Sequence, residues 1–117
     1  MRNFSKLLIW KKAVQIAIDA VKLAKTLPQD ERFGLAQQIS RSGISIPSNI
    51  AEGSSRSSEK ENYHFQEIAL GSCFELETQV LIAESVNYGH AGLRNAILQN
   101  LTALQKMLYR YMGTLNK

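Results

Sequence analysis

Apolar residues recur every three or four positions along almost the whole of this chain, a spacing that builds helices and leaves no alternating stretch for a strand. The expected fold class is all-α, with four helices forming one bundle. The first helix runs from about Ser5 to Thr26, with Leu7, Trp10, Val14, Ala17, Val21 and Ala24 on its inner face. It ends at Leu27-Pro28 because the residue before a proline resists the helical region. The second starts near Gln29 or Asp30 and carries Phe33, Ala36, Ile39, Ile46 and Ile50. It continues past Pro47 with a kink, since Ile46, Ile50 and Gly53 keep helical spacing. Gly53-Ser54-Ser55-Arg56-Ser57 reads as a linker, and Ser58-Glu59-Lys60-Glu61 is a capping box that opens the third helix. That helix reaches about Asn87 and closes at Gly89, and the fourth runs from about Gly92 to Leu115. Its stripe of Leu93, Ile97, Leu101, Leu104, Leu108, Tyr111 and Leu115 is unbroken.

A length of 117 residues supports one core, so residues 1–117 are expected to form a single domain. The lone cysteine, Cys73, rules out an internal disulfide and a thiolate cluster, which points to a reducing compartment. Near the N-terminus, the apolar run Leu7–Trp10 is interrupted by Lys11 and Lys12, too soon for a signal peptide or a membrane span. The expected location is cytoplasmic, with no membrane partner. The net charge of +4 is unevenly spread. Residues 1–58 carry nine basic and four acidic side chains, residues 59–88 one and six, and residues 89–117 four and none. Such segregation serves either complementary packing inside the bundle or a basic surface that attracts phosphate.

The third helix has two apolar faces. At 100° per residue, Phe65, Ala69, Ser72, Leu76, Val80 and Ala83 share one side, while Tyr63, Leu70, Phe74, Leu81 and Tyr88 lie nearly opposite. Ile9, Ile16 and Leu23 likewise recur every seven residues, away from the main stripe of the first helix. Either the core face is wide and irregular, or the second face is covered by another copy of the chain. On the second reading Tyr63, Leu70, Phe74, Leu81 and Tyr88 are the oligomer interface.

Three stretches carry a resemblance. They are Phe33-Gly34-Leu35 with Gln38-Ile39 and Arg41-Ser42; Ser45-Ile46-Pro47-Ser48-Asn49-Ile50-Ala51-Glu52-Gly53; and Ala69, Gly71-Ser72, Glu75-Leu76-Glu77 and Gln79. Together they resemble the four-helix-bundle family of 23S rRNA intervening-sequence proteins, related in turn to accessory proteins of diversity-generating retroelements. The resemblance covers nearly the whole chain. It implies an up-and-down antiparallel four-helix bundle, assembly into a homopentameric barrel, and basic surfaces that bind RNA or DNA without chemistry. Ser40 stands where the family pattern often has a basic residue.

Catalytic residues, cofactors and metals are not expected. Glu61 and His64 have the Glu-x-x-His spacing of di-iron bundles, but the motif occurs once, and Asn87 stands three residues before the other histidine, His90. Cys73 reads as a small packing residue. The polar residues around Pro47 read either as partners for backbone groups freed by the kink or as a ligand pocket. The nucleic-acid-binding candidates are Lys11, Lys12, Lys22, Arg41 and Arg56. With the second and third helices antiparallel about Arg56, Arg41 falls opposite Ser72 and Glu75, so an ion pair with Glu75 competes with a phosphate contact. Arg56, in its serine-rich linker beside a helix start, is either a phosphate contact or solvated. The expected function is thus a non-enzymatic, oligomeric binder of RNA or DNA backbones. The alternative is a scaffold that recruits another protein, such as a nucleic-acid-processing one.

Overall fold

The computed structural model describes residues 4–116. Four helices follow in order: α1 (Phe4–Ala24), α2 (Leu35–Ser54), α3 (Glu59–Ser85) and α4 (Ala91–Met112), with a 3₁₀ turn at Gln29–Glu31. Among the described residues there is no strand, and no helix is long and apolar enough to cross a membrane. α1 and α3 each pack against both α2 and α4, and short turns join successive helices. That is an up-and-down bundle, 43 Å long and 23 by 19 Å across.

Turn chemistry sets the helix ends. Ahead of Pro28, Thr26 closes α1 by donating from both its backbone N–H and its hydroxyl to the Leu23 carbonyl, at 2.9 and 2.7 Å. The second helix starts later than Gln29 or Asp30, and a carboxylate receives it there: Glu31 Oε1 accepts from Leu35 N at 3.2 Å. α2 therefore begins at Leu35, and Phe33 stands outside it, 81% exposed rather than on the core face. Beyond that, α2 runs unbroken through Pro47. The Ser48 hydroxyl and the Asn49 amide donate to the Ile44 and Ser45 carbonyls at 2.8 Å each, one turn back along the same helix. Ser58 caps α3, its hydroxyl accepting from Glu61 N at 3.0 Å.

At the other end of α3 the left-handed position belongs to Asn87 (φ 56°) and not to Gly89. Tyr88 N donates to the Ala83 carbonyl and Asn87 N to that of Glu84, the paired bonds of a Schellman motif. Gly89 has a different task. At φ +80° it lies so near α1 that a Cβ would stand 2.8 Å from Leu23 Cδ1, and the next residue donates from His90 N to Thr26 Oγ1 at 2.9 Å. The α3–α4 turn is thereby docked against the end of α1.

The core departs from expectation in α1. Ile9, Ala13, Ile16, Ala20 and Leu23 are buried, whereas Leu7, Trp10, Val14, Val21 and Ala24 are only half-buried. At the closest point of this seam a Cβ on Gly43 of α2 would meet Ala20 Cβ at 2.7 Å, so a small residue sits there between the buried Ile16 and Leu23, and the Leu7–Val14–Val21 stripe is turned to the flank. In α4 the expected stripe holds, with Ile97, Leu101, Leu104 and Leu108 fully buried.

Two glycine-to-alanine changes separate seam from surface. Gly43→Ala is expected to cost about 1–3 kcal/mol through overpacking. Gly71→Ala, on α3 with nothing within 4 Å of the new methyl group, is expected to stabilise by up to about 1 kcal/mol through helix propensity. Urea unfolding followed by circular dichroism measures both.

Candidate nucleic-acid interface

The five candidate cations fall into two groups. Lys11 and Lys22 project from the side of α1 opposite its core stripe, and Arg41 projects likewise from α2. All three are exposed, and among the described residues no side chain pairs with them. The expected ion pair between Arg41 and Glu75 is absent. Ser42 Oγ donates to Gln79 Oε1 at 2.6 Å and Ser45 Oγ meets Ser72 Oγ at 2.8 Å, so it is Ser42 and Ser45 that face α3, while Arg41 lies on the outer side of α2 and faces outward.

Lys12 and Arg56 are engaged. Lys12 Nζ donates to Asn100 Oδ1 at 3.2 Å, tying α1 to α4. Arg56 Nη2 lies 2.7 Å from Glu52 Oε1, and its guanidinium sits 4.8 Å from the Phe65 ring centroid, so it braces the α2–α3 turn. With both partners over a third exposed, that ion pair orients Arg56 more than it stabilises the fold.

Two further cations flank a feature that sequence reasoning passes over. Between the end of α1 and the start of α2 lies an open groove of about 650 Å³, lined among others by Lys25, Leu27, Gln29, Arg32, Phe33 and Gln37. A shallower one of about 390 Å³ continues along the same face, past Val14, Ile18, Val21, Lys22 and Ile44. Arg32 stands over the exposed Phe33 ring, 5.3 Å from its centroid. The signal in the sequence is Arg-Phe-Gly just after a proline turn, a pattern that suits the first turn of a helix equally well.

The proposed interface on α3 divides. Leu70 is buried in the chain's own core, and Tyr63 and Tyr88 pack against that core, so for these three the wide-core reading is the right one. The cause is that α3 is flanked by both α2 and α4, which widens the arc it buries. Phe74 and Leu81 remain 44% and 45% exposed, and Ile68, Ile82 and Val86 join them on the surface among the exposed carboxylates Glu67, Glu75 and Glu84.

Buried polar groups serve structure. Asn62 Nδ2 donates to Tyr111 Oη at 2.6 Å, and Gln66 Nε2 donates to Asn62 Oδ1 and to the Ile50 carbonyl at 2.9 and 3.2 Å, joining α2, α3 and α4. Arg94 is buried at the start of α4 and donates from Nη1 to the Tyr88 and Gly89 carbonyls at 2.6 and 2.9 Å, which locks the α3–α4 turn. Glu61 and His64 are exposed near the start of α3, and His64 sets its ring edge-on against Phe65. Among the described residues no three His, Cys, Asp or Glu side chains are grouped so as to hold a metal ion.

The sequence model of the family described as 23S rRNA-intervening sequence protein matches residues 5–110. Among solved structures, a protein of unknown function from the S23 ribosomal protein family of Bacteroides thetaiotaomicron is 26% identical, with a TM-score of 0.86, over 95% of this chain and 100% of that one. A search of curated proteins gave no match.

Cys73 is fully buried, and that burial, helped by the Glu77 carboxylate, pushes its thiol from the ordinary 9.0 up to about 12. Above pH 9.0 the unfolded chain releases this proton while the native state holds it until about pH 12. The unfolded state then binds fewer protons, so stability falls as pH rises through that window. The urea midpoint of the wild type is expected to drop between pH 9 and 11 more steeply than that of Cys73→Ala; parallel curves would contradict this assignment.

Proposed function

This chain belongs to the family of 23S rRNA-intervening sequence proteins, and from that premise we propose that it binds nucleic acid without catalysis, through cations repeated around a ring of subunits. The observation that carries the reading is the state of Lys11, Lys22 and Arg41: exposed, outward and unpaired among the described residues, while acidic side chains gather on α3. Cations with no internal carboxylate partner are available to phosphates, and each phosphate neutralised releases counterions. The family is named for an intervening sequence of 23S rRNA, and backbone contacts of this kind serve RNA and DNA alike.

Self-association belongs to the same reading. One flank of the bundle exposes Ile18 and Ile44 beside Lys22, and another exposes Phe74, Leu81, Ile82 and Val86 among glutamates. Two unlike surfaces that complement each other in charge and apolar character suit a head-to-tail contact, and such contacts close into rings. A count of five subunits is what the family resemblance implies. The same exposed apolar side chains favour the second reading, in which the ring recruits another protein and its basicity is incidental.

Charge removal separates the two. The variant Lys11→Gln/Lys22→Gln/Arg41→Gln is expected to keep the wild-type melting temperature, since among the described residues none of these side chains is partnered. It is also expected to bind labelled RNA or DNA more weakly, with a log–log salt slope shallower by roughly 0.7–0.9 for each phosphate that is no longer neutralised. Fluorescence anisotropy at several salt concentrations measures this, and an unchanged slope would favour the scaffold.

A further inference from the structure

We propose that the groove at the α1–α2 turn is a stacking site for an unpaired nucleobase, with Phe33 as its platform and Lys25 and Arg32 as contacts for the flanking phosphates. The proposal rests on the nucleic-acid reading and names the form of nucleic acid that this face accepts, a single strand.

A phenyl ring left 81% exposed has most of its apolar surface uncovered by its own chain. Arg32 stands over the ring, 5.3 Å from its centroid, and an exposure of 81% leaves most of the ring accessible to a ligand. Arginine on one side and a base on the other is a favourable stack, because a cation polarises the ring and every base has a flat π-surface to offer. The pedestal under Phe33 is held in place. Gly34 N donates to the Glu31 carbonyl at 3.0 Å, Glu31 Oε1 receives Leu35 N, and Pro28 opens the 3₁₀ turn.

The groove beside the ring suits the same ligand. Its floor is apolar (Val21, Leu27, Ala36), and Gln29 and Gln37 stand on its rim. An amide both donates and accepts, so these two meet the edge of any base without dictating its identity. At about 650 Å³ the space lies within the range of nucleotide-sized pockets. Lys25 and Arg32 line it, and Lys22 lies one helical turn before Lys25 on α1. Of the two acids in the turn, Glu31 is engaged at the start of α2, which leaves Asp30 as the one carboxylate facing solvent there. Ile18 and Ile44, the apolar residues available to a neighbouring subunit on this face, lie several residues further along α1 and α2, roughly 10 Å or more from the turn at 1.5 Å per residue. A duplex keeps its base faces stacked on one another, so a site of this form selects unpaired bases.

The test is anisotropy of fluorescein-labelled oligo(U) and of a duplex RNA of equal length, with the full chain carrying Phe33→Leu or Phe33→Trp. Phe33→Leu keeps apolar bulk and removes the π-face. It is expected to weaken oligo(U) binding about tenfold while leaving duplex binding and native mass unchanged, and Phe33→Trp is expected to restore or tighten it. Oligo(U) binding equal to wild type in Phe33→Leu, or an equal loss for the duplex, would overturn the stacking site and leave the nucleic-acid reading standing. A fall in native mass would instead assign the ring to a subunit contact. If the wild type binds neither probe at low salt, the nucleic-acid reading itself fails and takes this site with it.

Discussion

At Gly43 the backbone of α2 lies so near α1 that a Cβ would stand 2.7 Å from that of Ala20. At Gly53 the same helix lies as near α3, where a Cβ would meet Asn62 Oδ1 and Gln66 Nε2 at 2.7 Å. Two close approaches on one helix dictate much of the rest. They bring hydroxyls within reach across the α2–α3 seam, so Ser42 and Ser45 bond Gln79 and Ser72 instead of leaving polar groups stranded. They put the buried Asn62–Gln66–Tyr111 chain at one end, where it ties three helices together with directional bonds. On the flank of α1, Val14, Ile18 and Val21 line an open groove with Lys22 and Lys25.

Much of the architecture is legible in the sequence because it rests on periodicity and caps. The α4 stripe and the Ala69–Ala83 stripe of α3 are buried as their spacing requires, Ser58 caps α3, and α2 passes through Pro47. What is not legible depends on distances between helices. On α1 two apolar stripes compete, and the buried one, Ile9, Ala13, Ile16, Ala20 and Leu23, is the one that lets Ala20 meet the α2 backbone at Gly43. The rotation of α2 about its axis puts Ser42 and Ser45 against α3 and Arg41 on the outer side, and that separates Arg41 from its expected partner. Spacing alone extends α2 back over Phe33, although the helix begins two residues later, and so assigns to the core the most exposed aromatic among the described residues. Of the interface residues on α3, the outer pair Phe74 and Leu81 stand on the surface, while Leu70 turns inward because α4 covers it.

The charge pattern takes on meaning only when placed on this fold. Ion pairing scarcely uses it: among the described residues the one salt bridge joins Arg56 to Glu52, within α2 and its own turn. The basic α1–α2 face and the acidic α3 face are therefore both directed at solvent, with apolar side chains set among the charges on each. A monomer gains little from that arrangement. Copies placed side by side, basic face to acidic face, would cover the apolar side chains and repeat the remaining cations at a fixed spacing, which raises their pull on a polyanion beyond what a net charge of +4 supplies.

Sedimentation velocity of the wild-type protein with a labelled single-stranded RNA, followed at the wavelengths of the protein and of the label, tests assembly and binding together. The account predicts one boundary carrying both signals at the mass of several subunits plus RNA, with the RNA released, and the protein particle intact, as salt rises. A protein boundary at the mass of one subunit, with the RNA sedimenting alone at low salt, would contradict it.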